Sequence, residues 1–206
     1  MGRDNNILVS VPEQQLMSCD PNTHGSNGGQ VYKAFEYVIK NGGIASESDY
    51  PYEAINGTCN HQKEKRIALT IEGYGKVKSL CEPCLLCAVS RLPVSVYERD
   101  PLGLIHVSTN FFIKSLYFEH GHGLFDASSC PNVERWYTDH AMLIVGYGSL
   151  GLDHDYWIVK NSWGREWGDS SYIYIKTNTG DPFGVCNFNC YACYPTKNIL
   201  KLDSAI

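Results

Sequence analysis

The sequence has little charge and no long apolar run. Lys, Arg, Asp and Glu make up 19% of the 206 residues, and the net charge is −5. A chain of this charge lacks the basic surface that nucleic-acid binding requires, so no nucleic-acid partner is expected. No apolar stretch reaches the roughly 18 residues that a membrane-spanning helix needs. With 43% hydrophobic residues, the composition instead indicates a folded globular chain.

The beginning of the sequence, MGRDNN, lacks the apolar core of a secretory signal. Nine cysteines and the motif Asn56-Gly57-Thr58 nevertheless favour an oxidising compartment. We therefore expect Asn56 to be a glycosylation site. An N-terminal segment missing from the sequence would reconcile the two observations.

Two short apolar runs, residues 141–146 and 156–160, are rich in β-branched and aromatic side chains. Each run predicts a buried strand. The stretch between them contains glycine, serine and aspartate, which favour a turn. The sequence therefore predicts a β-hairpin.

This hairpin would bring a histidine and an asparagine together. If its centre lies near Leu150 and Gly151, His140 falls opposite Asn161, with Cα atoms roughly 4.5–5.5 Å apart. The amide oxygen would then accept the proton of one ring nitrogen and leave the other nitrogen free to act as a base. Trp163 could shield the pair from water. For such a pair taken alone, a core histidine that merely bonds an asparagine is the alternative interpretation.

Motifs along the chain resemble those of the papain family of cysteine proteases, which includes the cathepsins. They occur in the family's order and extend from about residue 7 to residue 197. The matching segments are VPEQQLMSCD at 11–20, SNGG at 26–29, YPYE at 50–53, PVSV at 93–96, DHA at 139–141, VGYG at 145–148, YWIVKNSWG at 156–164, WG at 167–168 and YP at 194–195.

The resemblance implies an α+β, papain-like fold with two lobes. Residues 7–92 would be the remnant of a truncated helical N-terminal lobe. Residues 93–197 would form a C-terminal antiparallel β-barrel lobe, and residues 198–206 a tail. The apolar spacing of residues 30–41, closed by two glycines, independently predicts an amphipathic helix in the first lobe.

The resemblance also implies the roles of three residues near the hairpin. His140 matches the general base of the family, and Asn161 matches the residue that orients it. Trp163 matches the indole that covers the pair. The implied activity is hydrolysis of peptide bonds by a cysteine nucleophile.

Five further residues match positions where the family binds its substrate. Gly28 and Gly29 match glycines whose backbone bonds an extended peptide, a role in which a missing Cβ allows close approach. Asp139, Ala141 and Tyr191 match the lining of the specificity pocket. Because Tyr191 is bulky, we expect this pocket to be narrow.

The family's nucleophilic cysteine is missing from the sequence. Its motif, C-G-[SA]-C-[WY], lies roughly 130–150 residues before the histidine, which here means near or before Met1. The oxyanion-hole glutamine of the family is missing with it. Cys19 does not replace the nucleophile, because Asp20 would disfavour its thiolate.

We therefore expect a homologue of the cysteine-type peptidases that is inactive as given. The alternatives are a non-catalytic module that binds peptides or inhibitors, and a fragment of an active endopeptidase. The resemblance implies a peptide or protein substrate or inhibitor as partner, no cofactor, and an extracellular or lysosomal location.

Two disulfides follow from the resemblance: Cys19 with Cys59, and Cys130 with Cys186. A third family bridge would end at the position that Ser26 occupies here, so that bridge is absent.

The remaining cysteines leave several interpretations open. The C-x-x-C spacings suit a zinc site, whereas the alternatives are apolar core residues or one extra bridge. The resemblance implies no metal, and we predict none. An odd number of cysteines leaves one thiol free for thiol-linked association if the rest pair. The five cysteines concerned are Cys81, Cys84, Cys87, Cys190 and Cys193.

Overall fold

The computed structural model of the chain describes residues 2–4, 7–98, 124–126, 135–151 and 154–197. The chain forms two units. The first comprises Met1–Gly75 and Pro195–Ile206, and the second comprises Lys76–Tyr194. None of the helices in the described ranges combines the length and the hydropathy that crossing a membrane requires.

The first unit contains short strands and three α-helices. Its small core consists of Tyr37, Val38, Ile44 and Leu69. Strands β1 and β2 pair with each other, and β3 pairs with β4, both antiparallel. In chain order the elements are β1 (Gly2–Asp4), β2 (Ile7–Val9), α1 (Glu13–Cys19), a 3₁₀ turn (Gly25–Asn27), α2 (Val31–Lys40), β3 (Ile44–Ala45), α3 (His61–Glu64), β4 (Ile67–Leu69) and β5 (Gly73–Lys76).

Helix α2 is the amphipathic helix that the sequence predicts, shorter by one residue at each end. Its buried residues are Tyr37 and Val38. The helix ends where Gly42 adopts a φ of +77°, a conformation that a residue without Cβ reaches at no steric cost. The Gly43 N–H donates to the Val38 carbonyl at 2.8 Å, which closes the last turn.

The second unit is built on an antiparallel sheet whose strands follow the order β10-β6-β7-β8-β9. The pairs β10-β6, β6-β7, β7-β8 and β8-β9 are antiparallel. In chain order the elements are α4 (Glu82–Val89), β6 (Val94–Glu98), β7 (His140–Ser149), β8 (Asp155–Lys160), β9 (Tyr172–Lys176), a 3₁₀ turn (Val185–Asn187) and β10 (Ala192–Thr196).

The sheet of the second unit is not closed in the described part of the chain. The described strands of this unit form one antiparallel sheet, and residues 99–123 and 127–134 of the lobe for which a β-barrel is expected lie outside the described residues. The α+β character stands, because helices and a large antiparallel sheet coexist. The two predicted strands correspond to β7 and β8, each within about three residues at its ends.

Helix α4 belongs to the second unit, although the sequence placed residues up to 92 in the first lobe. The reason is its packing. Leu85 and Val89 lie in the same core cluster as Val94, Ile144 and other inward-facing residues of the sheet. The second unit therefore begins at Lys76 and includes the whole of α4.

Neighbouring leucines on α4 test this packing. Leu85 is 2% exposed and Leu86 is 41% exposed. We expect Leu85→Ala to lower the free energy of unfolding by about 2–5 kcal/mol, since it leaves a cavity in the core. Leu86→Ala should change it by about 0.5 kcal/mol or less. Urea unfolding followed by circular dichroism measures both values, and equal losses would contradict the assignment of α4 to this core.

Candidate active site

The β7-β8 hairpin positions the histidine and the asparagine, but not in the register that the sequence predicts. Ile144 pairs with Val159 and Leu143 with Lys160, whereas nearer the turn the register shifts by one residue at a bulge. If the same register continues one residue past Lys160, Asn161 lies opposite residue 142. The predicted direct opposition of His140 and Asn161 is therefore wrong.

The two side chains still meet, because the register error is an even number of residues. His140 and Met142 are two apart on one strand, so their side chains point to the same face of the sheet. His140 is thus the diagonal neighbour of Asn161, within reach of a long side chain. The His140 Nε2 atom lies 3.0 Å from the Asn161 Oδ1 atom.

The geometry around Asn161 assigns the protons of the pair. Its Oδ1 accepts the backbone N–H of Ser162 at 2.7 Å, and a backbone N–H can only donate. This atom is therefore the amide oxygen, and it must also be the acceptor for His140. The neutral imidazole consequently carries its proton on Nε2, which leaves Nδ1 as the basic nitrogen.

Asn161 is held in place by burial, with 4% of its surface exposed. Its Nδ2 atom is buried and has no hydrogen-bond partner among the described residues. An unsatisfied buried donor costs roughly 1–3 kcal/mol, so this position is not optimised for stability alone.

Trp163 covers the pair. Its ring centroid lies 4.8 Å from that of His140, with 36° between the ring planes. Trp167 meets Trp163 edge to face at 5.7 Å, which supports the indole from behind. The His140 to Asn161 hydrogen bond thus lies beside two large rings that limit the access of water.

The structure adds a carboxyl group that the sequence analysis did not single out. Glu98 is the register partner of His140 across the β6-β7 pair, and only 3% of it is exposed. The signal was present in the alternation of β6, where Val94, Val96 and Glu98 share the buried face. The sequence signal for this carboxyl group is therefore an acidic residue at the third buried position of β6.

Two of the predicted pocket-lining residues, Ala141 and Tyr191, lie on either side of one residue, Tyr97. Ala141 is its register partner, and the Tyr191 ring meets the Tyr97 ring edge to face at 6.2 Å. Ala141 and His140 point to opposite faces of β7, because they are adjacent in the strand. Asp139 is exposed, and its N–H donates to the Glu98 carbonyl at 2.9 Å.

The predicted substrate-binding glycines lie in the first unit, where they are described separately. Gly28 has a φ of +90° and follows the 3₁₀ turn. Asn56 holds this turn with two hydrogen bonds: its Oδ1 accepts the Ser26 N–H at 2.7 Å, and its Nδ2 donates to the Ser26 Oγ at 2.9 Å. Asn56 is exposed, so the predicted glycosylation site is accessible.

The cysteines are mostly accounted for by disulfides. Cys19 is joined to Cys59, the pairing that the resemblance implies. Cys81 is joined to Cys84, so one extra bridge is the alternative that the structure favours for that C-x-x-C motif. Cys186 is disulfide-bonded, whereas its expected partner, residue 130, lies outside the described residues.

Three described cysteines are free thiols. Cys87 is exposed, and Cys190 and Cys193 are buried. Burial raises the pKa of the Cys190 and Cys193 thiols to about 11, so neither forms a thiolate readily at neutral pH. In the described ranges, one group has ligand atoms close enough for a metal: Cys19, Cys59 and Glu64. Two of its members form the first disulfide.

The chain matches the family described as "Papain family cysteine protease" over residues 2–196. It belongs to the papain family of cysteine proteases. The resemblance found in the sequence is thereby confirmed, and so is the α+β, papain-like fold class.

Several relatives are plant cysteine proteases. The chain is 41% identical over 191 residues to "Cysteine protease XCP2" of Arabidopsis thaliana, which covers 92% of this chain and 49% of that protein. It is 40% identical over 202 residues to "Vignain" of Ricinus communis, covering 98% of this chain and 51% of that protein. The chain thus spans about half the length of these curated relatives.

Solved structures show the same fold. The bromelain protease from Ananas comosus, in complex with the E64 inhibitor, superposes with a TM-score of 0.77 at 30% identity, over 94% of this chain and 81% of that chain. Digestive procathepsin L2 from Tenebrio molitor superposes with a TM-score of 0.75 at 36% identity, over 93% of this chain and 54% of that chain.

The proton assignment is testable by NMR. Asn161→Ala removes the acceptor of the Nε2 proton, so we expect His140 to lose its preference for the Nε2–H tautomer. Imidazole ¹⁵N chemical shifts measure this directly. Ser162→Ala keeps its backbone N–H and serves as the control, which should leave the tautomer unchanged. An unaltered tautomer in Asn161→Ala would contradict the assignment.

Thiol reactivity tests the account of the free cysteines. At pH 8 the Cys190 and Cys193 thiols are well below a pKa of about 11, so they should stay protonated and unreactive. Exposed Cys87 should react with iodoacetamide many times faster. Peptide mass spectrometry measures the rates, with the urea-unfolded chain as the reference in which all three react. Equal reaction rates for all three cysteines in the native chain would contradict the burial of Cys190 and Cys193.

Proposed function

We propose that His140 and Asn161 are the base and the orienting residue of a cysteine-type peptidase. The observation that carries the proposal is the 3.0 Å contact between His140 Nε2 and Asn161 Oδ1 beside the Trp163 ring. Such an arrangement fixes the tautomer of the base in the way that nucleophilic catalysis of acyl transfer requires.

The chemistry assigned to each atom follows from the proton assignment. A cysteine thiol transfers its proton to Nδ1 of His140, and the thiolate attacks the carbonyl carbon of the peptide. The imidazolium then gives that proton to the departing amine, and water hydrolyses the acyl-cysteine. Throughout, Asn161 keeps the ring in place by accepting the Nε2 proton, which does not move.

We assign substrate-binding roles to residues of each unit, taken separately. In the first unit, Gly28 and Gly29 bond the backbone of an extended peptide, with the turn before them held by the Asn56 side chain. In the second unit, Asp139, Ala141 and Tyr191 line the specificity pocket. Tyr97 joins that lining, since it contacts the last two. Two tyrosine rings there favour a narrow, apolar pocket.

The nucleophile is not among the described cysteines of this chain. Five of them are disulfide-bonded, and two are buried with raised pKa values. The last, Cys87, is an exposed thiol on α4. We therefore propose that the chain as given binds peptides or inhibitors without cleaving them, and that cleavage needs a thiol from outside it.

The disulfides support an oxidising location. Cys19 with Cys59 and Cys81 with Cys84 would both be reduced in the cytosol. One relative is named "KDEL-tailed cysteine endopeptidase CEP2" of Arabidopsis thaliana, at 40% identity over 193 residues. We propose an extracellular or lysosomal location for this chain.

One experiment tests the two parts of this function separately. The purified chain is given an epoxide thiol-protease probe and a fluorogenic peptide, and we expect neither turnover nor labelling that depends on His140. Turnover that His140→Ala abolishes would contradict the missing nucleophile. The same result would still agree with the proposed role of His140 as the base.

The role of the pair is then tested by supplying the nucleophile. The chain is extended at its N-terminus with the C-G-[SA]-C-[WY] segment of a relative, which should produce turnover. His140→Ala in the extended chain should lower kcat by at least about a thousandfold. Asn161→Ala should have a smaller effect, because the base remains and only its tautomer is released. Full activity in His140→Ala would overturn the proposal.

A further inference from the structure

A pocket of about 410 Å³ opens in the second unit beside the first turns of α4 and the far end of the β7-β8 hairpin. Its volume is in the range of small-molecule sites. None of the residues to which the proposed hydrolysis assigns a role lines it. The lining consists of Glu82, Pro83, Leu86, Tyr147, Gly148, Ser149, Asp155, Tyr156, Trp157, Thr177 and Asn178.

One side of the pocket is apolar and aromatic. Tyr147 and Trp157 are register partners, and their rings meet edge to face at 6.4 Å. Trp157 is buried, whereas Tyr147 is 50% exposed and Leu86 of α4 faces solvent as well. Exposed large apolar side chains around a concave surface favour a ligand with an apolar body.

The other side of the pocket carries two carboxyl groups held by one residue. The Asn178 N–H reaches the two oxygens of Glu82 at 3.3 and 3.2 Å, and its Nδ2 donates to Asp155 Oδ2 at 2.9 Å. Asn178 has a φ of +55°, a conformation that asparagine tolerates better than most residues. A single residue in a restrained conformation thus brings the acidic groups together.

The negative charge of this pocket is not neutralised by the described residues. The lining contains no Lys, Arg or His, and neither Glu82 nor Asp155 forms an ion pair in the part of the chain that the structure describes. Burial raises the pKa of Glu82. The charged carboxylate has lost contact with water there, and its present neighbours do not fully replace that stabilisation. A cation in the pocket would supply them.

We propose that this pocket binds an organic cation, an ammonium, amidinium or guanidinium group on an apolar body. The charged head lies between Glu82 and Asp155, where its N–H groups donate charge-assisted hydrogen bonds. The apolar body packs on Tyr147, Trp157 and Leu86, and the aromatic rings add a cation–π attraction. This site is independent of the proposed peptide hydrolysis.

An organic cation fits the lining better than a metal ion does. Ca²⁺ takes six to eight oxygen ligands, and Mg²⁺ takes six. Here the two carboxylates already accept hydrogen bonds from Asn178, and the facing wall is aromatic. An aromatic wall offers a metal ion no ligand, whereas it stabilises a flat or alkyl-bearing cation.

The probe for this site is benzamidine, and neutral benzamide of nearly the same shape is its control. We expect benzamidine to shift the indole N–H signal of Trp157 in a protein NMR titration. Benzamide should bind at least about tenfold more weakly, since it lacks the charge that the carboxylates recognise. Equal binding of the two probes overturns the proposal. No shift with either probe at about 10 mM also overturns it.

Substitutions locate the binding within the pocket. Glu82→Gln and Asp155→Asn keep the size of the side chains and should each weaken benzamidine at least about fivefold. Glu166→Gln removes an exposed carboxylate elsewhere in the unit and should have no effect. Unchanged affinity in both pocket variants overturns the proposal. The comparison of benzamidine with benzamide on the unaltered chain keeps the test valid if either variant fails to fold.

A third ligand distinguishes the source of the cation. N-acetylarginine amide presents the basic side chain of a polypeptide, whereas benzamidine stands for a small aromatic cation. Tighter binding of the arginine derivative assigns the pocket to a basic protein or peptide. Tighter binding of benzamidine assigns it to a small molecule. Both results support the shared chemistry, and displacement of neither ligand by the other would contradict a common site.

Discussion

The register of the central strands is the constraint on which the rest of the second unit depends. Val94, Val96, Ile144 and Val159 are fully buried on one face of β6, β7 and β8. A slip of one residue would move these side chains to the opposite face. Each contributes about 1.5–3 kcal/mol by burial, so the slip would cost an amount comparable with the stability of a whole domain, about 5–15 kcal/mol. The same register places His140 beside Glu98 and diagonal to Asn161.

The strands of this sheet could be predicted from the sequence, but their exact pairing could not. Both β6 and β8 are visible in the letters, since Val94 and Val96 are spaced two apart in β6 and residues 156–159 form a continuous apolar run in β8. The bulge at Val145 is not visible, since an extra residue leaves the composition of the strand unchanged. The predicted turn centre puts the register near the turn three residues away from the observed one, and the bulge reduces this difference to two residues at His140. The contact of His140 with Asn161 survived because an even shift keeps both side chains on one face.

Residues far apart in the sequence were the least predictable part. The buried position of Glu98 depends on β6 lying next to β7, across a long connection, and no local pattern reveals that neighbour. Asn178 likewise joins Glu82 to Asp155 over separations of 96 and 23 residues. The motifs of the papain family identified His140 and Asn161. They do not include Glu98 or Asn178, so motif matching could not identify those two residues.

The base and its orienting residue are assembled from one hairpin and the turn that follows it. His140 begins β7, Asn161 follows β8, and Trp163 lies two residues further on. All three are positioned by pairings within the second unit, whose core contains no residue of the first. Their geometry therefore does not depend on where a nucleophile comes from, and an intact pair is equally compatible with catalysis and with binding alone. The Nδ2 atom of Asn161 is buried without a hydrogen-bond partner among the described residues, which costs roughly 1–3 kcal/mol. The pair carries this cost with or without a nucleophile, because the same pairings of the second unit hold Asn161 in both cases.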